Sequence, residues 1–167
     1  MKTALALFIP MILSNFFHMV IIKKNYLKEF KIPINQKLFG PNKTWRGMLV
    51  MMNINGFFHF AYFALVHGES TGSRFIQGSL LGLAYILAEL PNSWFKRKQG
   101  IPSGQTGQPA WLYRVLDKAD SASAVVLVWM IWENLPFDFA LLMFVMAFSL
   151  HMSLSYFVYR IGLKEAL

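Results

Sequence analysis

Five apolar runs, each close to the length needed to cross a bilayer, constrain this chain more than any other feature. They fall at about residues 5–22, 48–66, 75–95, 117–132 and 137–159. A spanning helix needs about 20 mainly apolar residues. Inside hydrocarbon each backbone N–H and C=O must be paired within its own segment, so runs of this kind fold as helices. The sequence therefore predicts an all-α, polytopic membrane helix bundle with about five transmembrane helices. It reads as a single integral membrane domain over residues 1–167, with two polar loops at about 23–46 and 96–116. Composition agrees: 56% of residues are hydrophobic, 14% are charged, and the mean hydropathy is +0.43. A soluble domain of this size is less apolar and more charged. Cysteine is absent, which excludes disulfides, thiolate metal sites and a cysteine nucleophile.

Lys2 before the first run suggests a signal peptide as a competing reading. No small-x-small cleavage pattern follows, so the run is expected to be an uncleaved span. Polar residues inside the spans are expected to turn toward other helices. These are Asn15 and His18, one turn apart on the first span, and Asn53, Asn55 and His59 on the second. Gly78 and Gly82 form a small-xxx-small pair that allows close helix approach. The strictly apolar part of the fourth run, Ala124 to Trp132, is short. Its helix is thus expected to begin in the interface near Asp117, with Asp117 and Asp120 on its first turns. Glu133, Asn134 and Pro136 make a tight turn.

The net charge is +8, and the cations gather between the runs. The first polar segment holds Lys23, Lys24, Lys28, Lys31, Lys37, Lys43 and Arg46 against the single acid Glu29. Its start could form a short interfacial helix with Tyr26, Leu27 and Phe30 toward lipid, until Pro33 and Pro41 interrupt it. The second polar segment holds Lys96, Arg97, Lys98 and Arg114, with glycines and prolines that argue against regular structure. With the N-terminus outside, both basic loops and the tail (Arg160, Lys164) fall on one side. The positive-inside rule makes that side cytoplasmic. The expected location is the cell's inner or plasma membrane, multi-pass. Charge placed this way points to orientation and phosphate binding, not to nucleic acid. Association of several copies is left open by the sequence.

Asp117 and Asp120 are three apart and share a helix face. Two carboxylates there repel unless a cation joins them. Mg²⁺ takes oxygen ligands, commonly one or two carboxylates plus substrate phosphates. The competing reading is a solvated helix start, where acids favour the helix dipole. Among the cations, Arg46 and Arg97 can grip phosphate oxygens bidentately, while Lys43 and Lys96 act as compact point charges. Topology signals, or contacts to anionic lipid, are the competing reading. Gly40, Gly47, Gly100 and Gly104 would let backbone approach a ligand closely. Thr44 is placed to cap the second span. Glu89 is a third acid near the same face, as metal ligand, base or partner to a lysine or arginine. His18, His59, His67 and His151 have no paired metal spacing and read as internal hydrogen-bonding groups. There is no Walker loop, no Gly-x-Gly-x-x-Gly and no nucleophile elbow.

Three stretches in order, Leu38-Phe-Gly-Pro-Asn-Lys-Thr-Trp-Arg-Gly47, Leu90-Pro-Asn-Ser-Trp-Phe-Lys-Arg-Lys-Gln-Gly-Ile-Pro-Ser-Gly104 and Asp117-Lys-Ala-Asp120, resemble the CDP-archaeol synthase family. These are CTP-dependent lipid cytidylyltransferases related to the CDP-diacylglycerol synthases. The resemblance covers about Phe39 to Ser121, and the five-span layout is similar. It implies that Lys43, Thr44 and Arg46 form the first cytoplasmic part of an active site. Asn92, Lys96 and Arg97, with Gly104, would belong to the second, and Asp117 and Asp120 would hold Mg²⁺. The implied substrates are CTP and a lipid phosphate, either an archaeal ether lipid phosphate or phosphatidate. The chain departs from the family's Asp-Gln-x-Asp-Phe pattern at Lys118 and Ser121, and has no acid between Ile34 and Leu38. Two other readings stay open: a non-catalytic membrane protein binding anionic lipid headgroups through its loops, and a small transporter subunit using Glu89, His59 and His151.

Overall fold

The computed structural model describes residues 2–162 and is all-helical. In chain order the helices are α1 (Lys2–Lys23), α2 (Gln36–Phe39), α3 (Trp45–His67), α4 (Gly72–Lys98), α5 (Ala110–Glu133) and α6 (Phe137–Arg160). Among the described residues there is no strand, only an isolated bridge between Pro33 and Thr44. Lys164, expected to add to the basic face, lies outside the described residues.

Five long helices form the bundle. α1 from Thr3, α3 and α6 are each long and apolar enough, by length and composition alone, to cross a membrane. α4 and α5, of 27 and 24 residues, match them in length but carry charge toward one end. At 1.5 Å per residue, α4 runs about 40 Å, beyond the ~30 Å hydrocarbon thickness. Its Lys96-Arg97-Lys98 turn can therefore stay helical while standing outside the apolar layer.

This length corrects the boundaries drawn from the sequence. The second polar loop, expected over about 96–116, is confined to residues 99–109. Asn92, Lys96 and Arg97 sit on α4, and α5 begins two turns before Asp117. Nothing in Lys96-Arg97-Lys98 breaks a helix; the chain turns only at Gly100, where φ is +74°. The first polar loop also differs. α1 ends because Asn25 and Leu27 both take left-handed conformations, with φ of 54°. The expected interfacial helix reduces to a single 3-10 turn, Lys28–Phe30, with Tyr26, Leu27 and Phe30 exposed.

Beyond that turn the first loop is ordered by its own hydrogen bonds. Ile34 N donates to Lys43 O at 2.9 Å, and Trp45 N donates to Ile32 O at 2.9 Å. Asn35 caps α2 by accepting from Leu38 N, and Thr44 caps α3 by accepting from Gly47 N at 3.2 Å. Capping satisfies a donor that a helix start otherwise leaves unpaired.

Close approach of α3 and α4 sets the frame of the bundle. A Cβ on Gly78 would lie 2.7 Å from Asn55 O, and one on Gly82 would lie 2.7 Å from Met51 O. Only glycine lets the two backbones come this near. A polar clasp joins three helices there: Ser14 Oγ lies 3.0 Å from Asn55 Oδ1, and Asn55 Nδ2 donates to Gly78 O at 2.7 Å. Asn55 and His59 are fully buried, as expected. Asn53 is not. It is exposed and donates to Leu49 O of its own helix at 2.8 Å, which satisfies the amide without any neighbour. Trp129, Met51, Leu81 and Met143 fill the core. At the other end of α1, Lys23 donates to Gly162 O, tying the close of α1 to the close of α6.

Candidate active site

A polar cavity of about 320 Å³ opens where α4 ends and α5 begins. Asn92 and Lys96 are four apart on α4 and so present one face to α5. Asp117 and Asp120, three apart on α5, present theirs to α4. Lys96 is buried, and its Nζ lies 2.5 and 2.6 Å from the two Asp117 carboxylate oxygens. Asn92 Nδ2 donates to Asp117 Oδ1 at 2.6 Å and to Asp120 Oδ2 at 3.2 Å, bridging the pair. The other Asp120 oxygen accepts from Ser121 N at 2.5 Å and from Ser121 Oγ at 3.0 Å. Each carboxylate thus has donors around it, which a charge at the edge of an apolar layer requires.

The first loop reaches the same cavity. Lys43 forms an ion pair with Glu89 on α4. Burial pulls the Lys43 ammonium toward a lower pKa, but the Glu89 carboxylate, together with Asp120 and Asp117, raises it above its ordinary value. Arg97 differs from the other cations. Its Nε and Nη1 are buried, with no hydrogen-bond partner among the described residues. Gly40, at φ +85°, closes over it: a Cβ there would lie 3.0 Å from Ser103 Oγ and 3.4 Å from Arg97 Nη1. Gly104, at φ +82°, lines the same wall.

Of the residues singled out from the sequence, Lys43, Asn92, Lys96, Arg97, Gly104, Asp117 and Asp120 therefore line one cavity. Arg46 and Thr44 do not. Both are buried and line a neighbouring cavity of about 490 Å³ between α1, the first loop and α3. Arg46 Nη1 donates to Asn25 Oδ1 at 2.8 Å and to Tyr26 O at 3.1 Å, which swings it away from the aspartates. Lys43 and Glu89 line both cavities and stand between them. Residues not singled out also line the first cavity: Asn42, Ser93, Ser103, Gln105, Thr106 and Lys118. Asn42 lies inside the Gly40–Gly47 stretch and was readable there. The three from the Gly/Pro-rich loop carried no periodic signal.

The carboxylates bear on metal binding. Among the described residues no three His, Asp or Glu side chains are spaced to hold a metal ion by themselves. Asp117 and Asp120 are a hard-oxygen pair, the donor number Mg²⁺ uses when substrate phosphates supply the rest.

Cations, carboxylates and an incompletely bonded guanidinium thus line one cavity of an all-helical bundle that contains helices long and apolar enough to cross a membrane. The chain belongs to the CarS-like CDP-archaeol synthase family, whose model matches residues 3–167. That family comprises CTP-dependent lipid cytidylyltransferases. No curated protein and no solved structure matches the chain at a significant level.

Proposed function

We propose that this protein transfers CMP from CTP to a membrane lipid phosphate, either an archaeal ether lipid phosphate or phosphatidate. A non-bridging oxygen of the lipid phosphate attacks the α-phosphorus of CTP. The bond from the α-phosphorus to the oxygen bridging to the β-phosphorus breaks, giving a CDP-lipid and pyrophosphate. Both reactants are anions that repel, and such transfers depend mainly on positioning and charge neutralisation. Lys43, Lys96 and Arg97 supply that neutralising charge, and Asn92 orients the two aspartates. Asp117 and Asp120 would hold Mg²⁺, which when bound neutralises phosphate charge. The lipid phosphate is already ionised near neutral pH, so no strong base is required.

The observation that carries this reading is Arg97. A guanidinium with two buried, unsatisfied nitrogens, on one cavity with Lys43 and Lys96, is costly unless an anion completes it. The test is formation of CDP-lipid by the purified protein with labelled CTP, Mg²⁺ and a panel of lipid phosphates. Absence of product from every acceptor, with folded protein, sinks the reading.

The cavity is assigned to the cytoplasmic face, where CTP is found, with the N-terminus outside. The positive-inside distribution of both loops supports this. Because the chain has no cysteine, single cysteines introduced at exposed Lys37 and Glu69 report the two faces cleanly. Labelling of the first from outside intact cells would reverse the orientation.

A further inference from the structure

We propose that the second cavity, bounded by His18 on α1, the first loop and Arg46 on α3, is the seat of the acceptor's phosphomonoester head. This rests on the transfer reaction proposed above and divides its two substrates between two cavities. The nucleotide takes the space beside Asp117 and Asp120, and the acceptor takes the space on the far side of the Lys43–Glu89 pair.

Three features carry the assignment. The first is charge. Lys23, Lys31, Lys43 and Arg46 line this cavity against Glu89 alone. The second is incomplete hydrogen bonding. His18 Nε2 and Arg46 Nε are both buried without a partner among the described residues. Arg46 is held in place through Nη1 by Asn25 and Tyr26, so its Nε edge is fixed before any ligand arrives. Two side chains with incompletely bonded, buried nitrogens, on the wall of a 490 Å³ space lined by four cations, fit an anion site.

The third feature separates a lipid from a free anion or a second nucleotide. Ile22, Ile34, Met48 and Ile86 line the same cavity, giving it a larger apolar wall than the nucleotide cavity, where Phe39 is the one apolar side chain. His18 and Glu89 are also shared with a third space, of about 170 Å³, between α1, α4 and α6. That space shares Asn15, Tyr85, His151 and Leu154 with an apolar hollow walled by Leu7, Phe8, Met11 and Ile12 of α1. The apolar hollow on α1 thus adjoins the space at His18 across the Asn15–Tyr85–His151 hydrogen bonds. A phosphate carried on a hydrocarbon chain can use such an apolar neighbour, and a free anion has no use for it. Lys43, common to both cavities, is placed to contact both reacting phosphates.

The test measures acceptor and nucleotide separately on the full-length protein in detergent. In steady-state assays His18→Gln and Arg46→Lys should each raise the KM for lipid phosphate roughly tenfold or more, the cost of one charge-assisted hydrogen bond. The KM for CTP should stay within about twofold. Arg46→Lys keeps a cation and guards against misfolding; His18→Gln keeps a polar group of similar reach. A rise in the CTP constant alone, or in both equally, would overturn the division. Calorimetric titration with short-chain phosphatidate, without CTP, gives a second readout that needs no turnover. Binding should weaken in both variants and persist in Asp120→Asn. Equal binding to wild type and the His18 and Arg46 variants would overturn the site even in an active enzyme. Displacement by inorganic phosphate as effective as by the lipid would show a plain anion site and overturn the lipid assignment. If the wild type forms no CDP-lipid yet binding still depends on His18 and Arg46, the site stands and the transfer reaction falls.

Discussion

The Lys96 ammonium lies 2.5 Å from one oxygen of the Asp117 carboxylate and 2.6 Å from the other. Lys96 thus neutralises Asp117 within the fold itself. In the proposed reaction Asp117 would help hold Mg²⁺ and Lys96 would help hold phosphate oxygens. Lys96→Met removes the cation while keeping the length of the side chain. It should lower kcat/KM by about 10²-fold or more, the usual cost of one preorganised charge donor. A rate assay at saturating Mg²⁺ decides, and a loss smaller than about threefold would place Lys96 outside the reaction.

Asp120 faces the same cavity from one turn further along α5 and receives donors from Asn92 and Ser121. Asp120→Asn preserves shape and removes charge. Turnover should fall by about 10²-fold or more, and the Mg²⁺ concentration for half-activity should rise. Near-normal turnover at the wild-type Mg²⁺ midpoint removes the metal assignment.

Arg97 contributes nothing visible to the fold through its two unpartnered nitrogens. Arg97→Gln should therefore leave the melting temperature unchanged or slightly raised, while the KM for CTP rises roughly tenfold. A drop in melting temperature with unchanged CTP dependence would make Arg97 structural.

Lys43 gives a pH dependence with a definite sign. Its pKa in the folded protein is raised above the ordinary 10.5, the acids Glu89, Asp120 and Asp117 together outweighing burial. A group whose folded pKa is raised contributes stability that is complete below the unfolded pKa and is lost as pH rises through the folded one. The destabilisation caused by Lys43→Met, about 1–3 kcal/mol, should then be constant from neutral pH up to about 10 and shrink only above that. Thermal-shift scans across this range check it; a gap that already closes near pH 8 contradicts the pairing with Glu89.

Gly82 tests the frame rather than the site. A Cβ at this position would lie 2.7 Å from Met51 O and 3.0 Å from Asn55 Cβ. Gly82→Leu must push α4 away from α3, at a cost of about 1–3 kcal/mol or more. A lowered melting temperature in detergent is expected, with activity falling in parallel because Glu89, Asn92 and Lys96 ride on the same helix.

Much of this was readable in the chain. The apolar runs marked the long helices, Gly78 and Gly82 marked the close seam, and Thr44 marked a helix cap. Asp117 and Asp120 were visible as an i, i+3 pair. The ends of α4 and α5 were harder. A helix that outruns the hydrocarbon continues through lysine and arginine, so composition placed the loop where charge began and not where hydrogen bonding stopped. Asn53 was misplaced for a similar reason: an amide in a span can satisfy itself on its own helix.

The sequence by itself determined an all-helical membrane bundle and gathered its cations at one face, because hydrocarbon admits only paired backbone and excludes unpaired charge. It could not divide those cations. Lys43 and Arg46, three residues apart in the Gly40–Gly47 stretch, look equivalent there. Only the tertiary structure, by pairing Lys43 with Glu89 of α4 and Arg46 with Asn25 and Tyr26, placed one at the boundary of two cavities and the other on the second but not the first. The physical reason is that a long cationic side chain goes to whichever acceptor the fold brings within reach, and those acceptors come from segments distant in the chain.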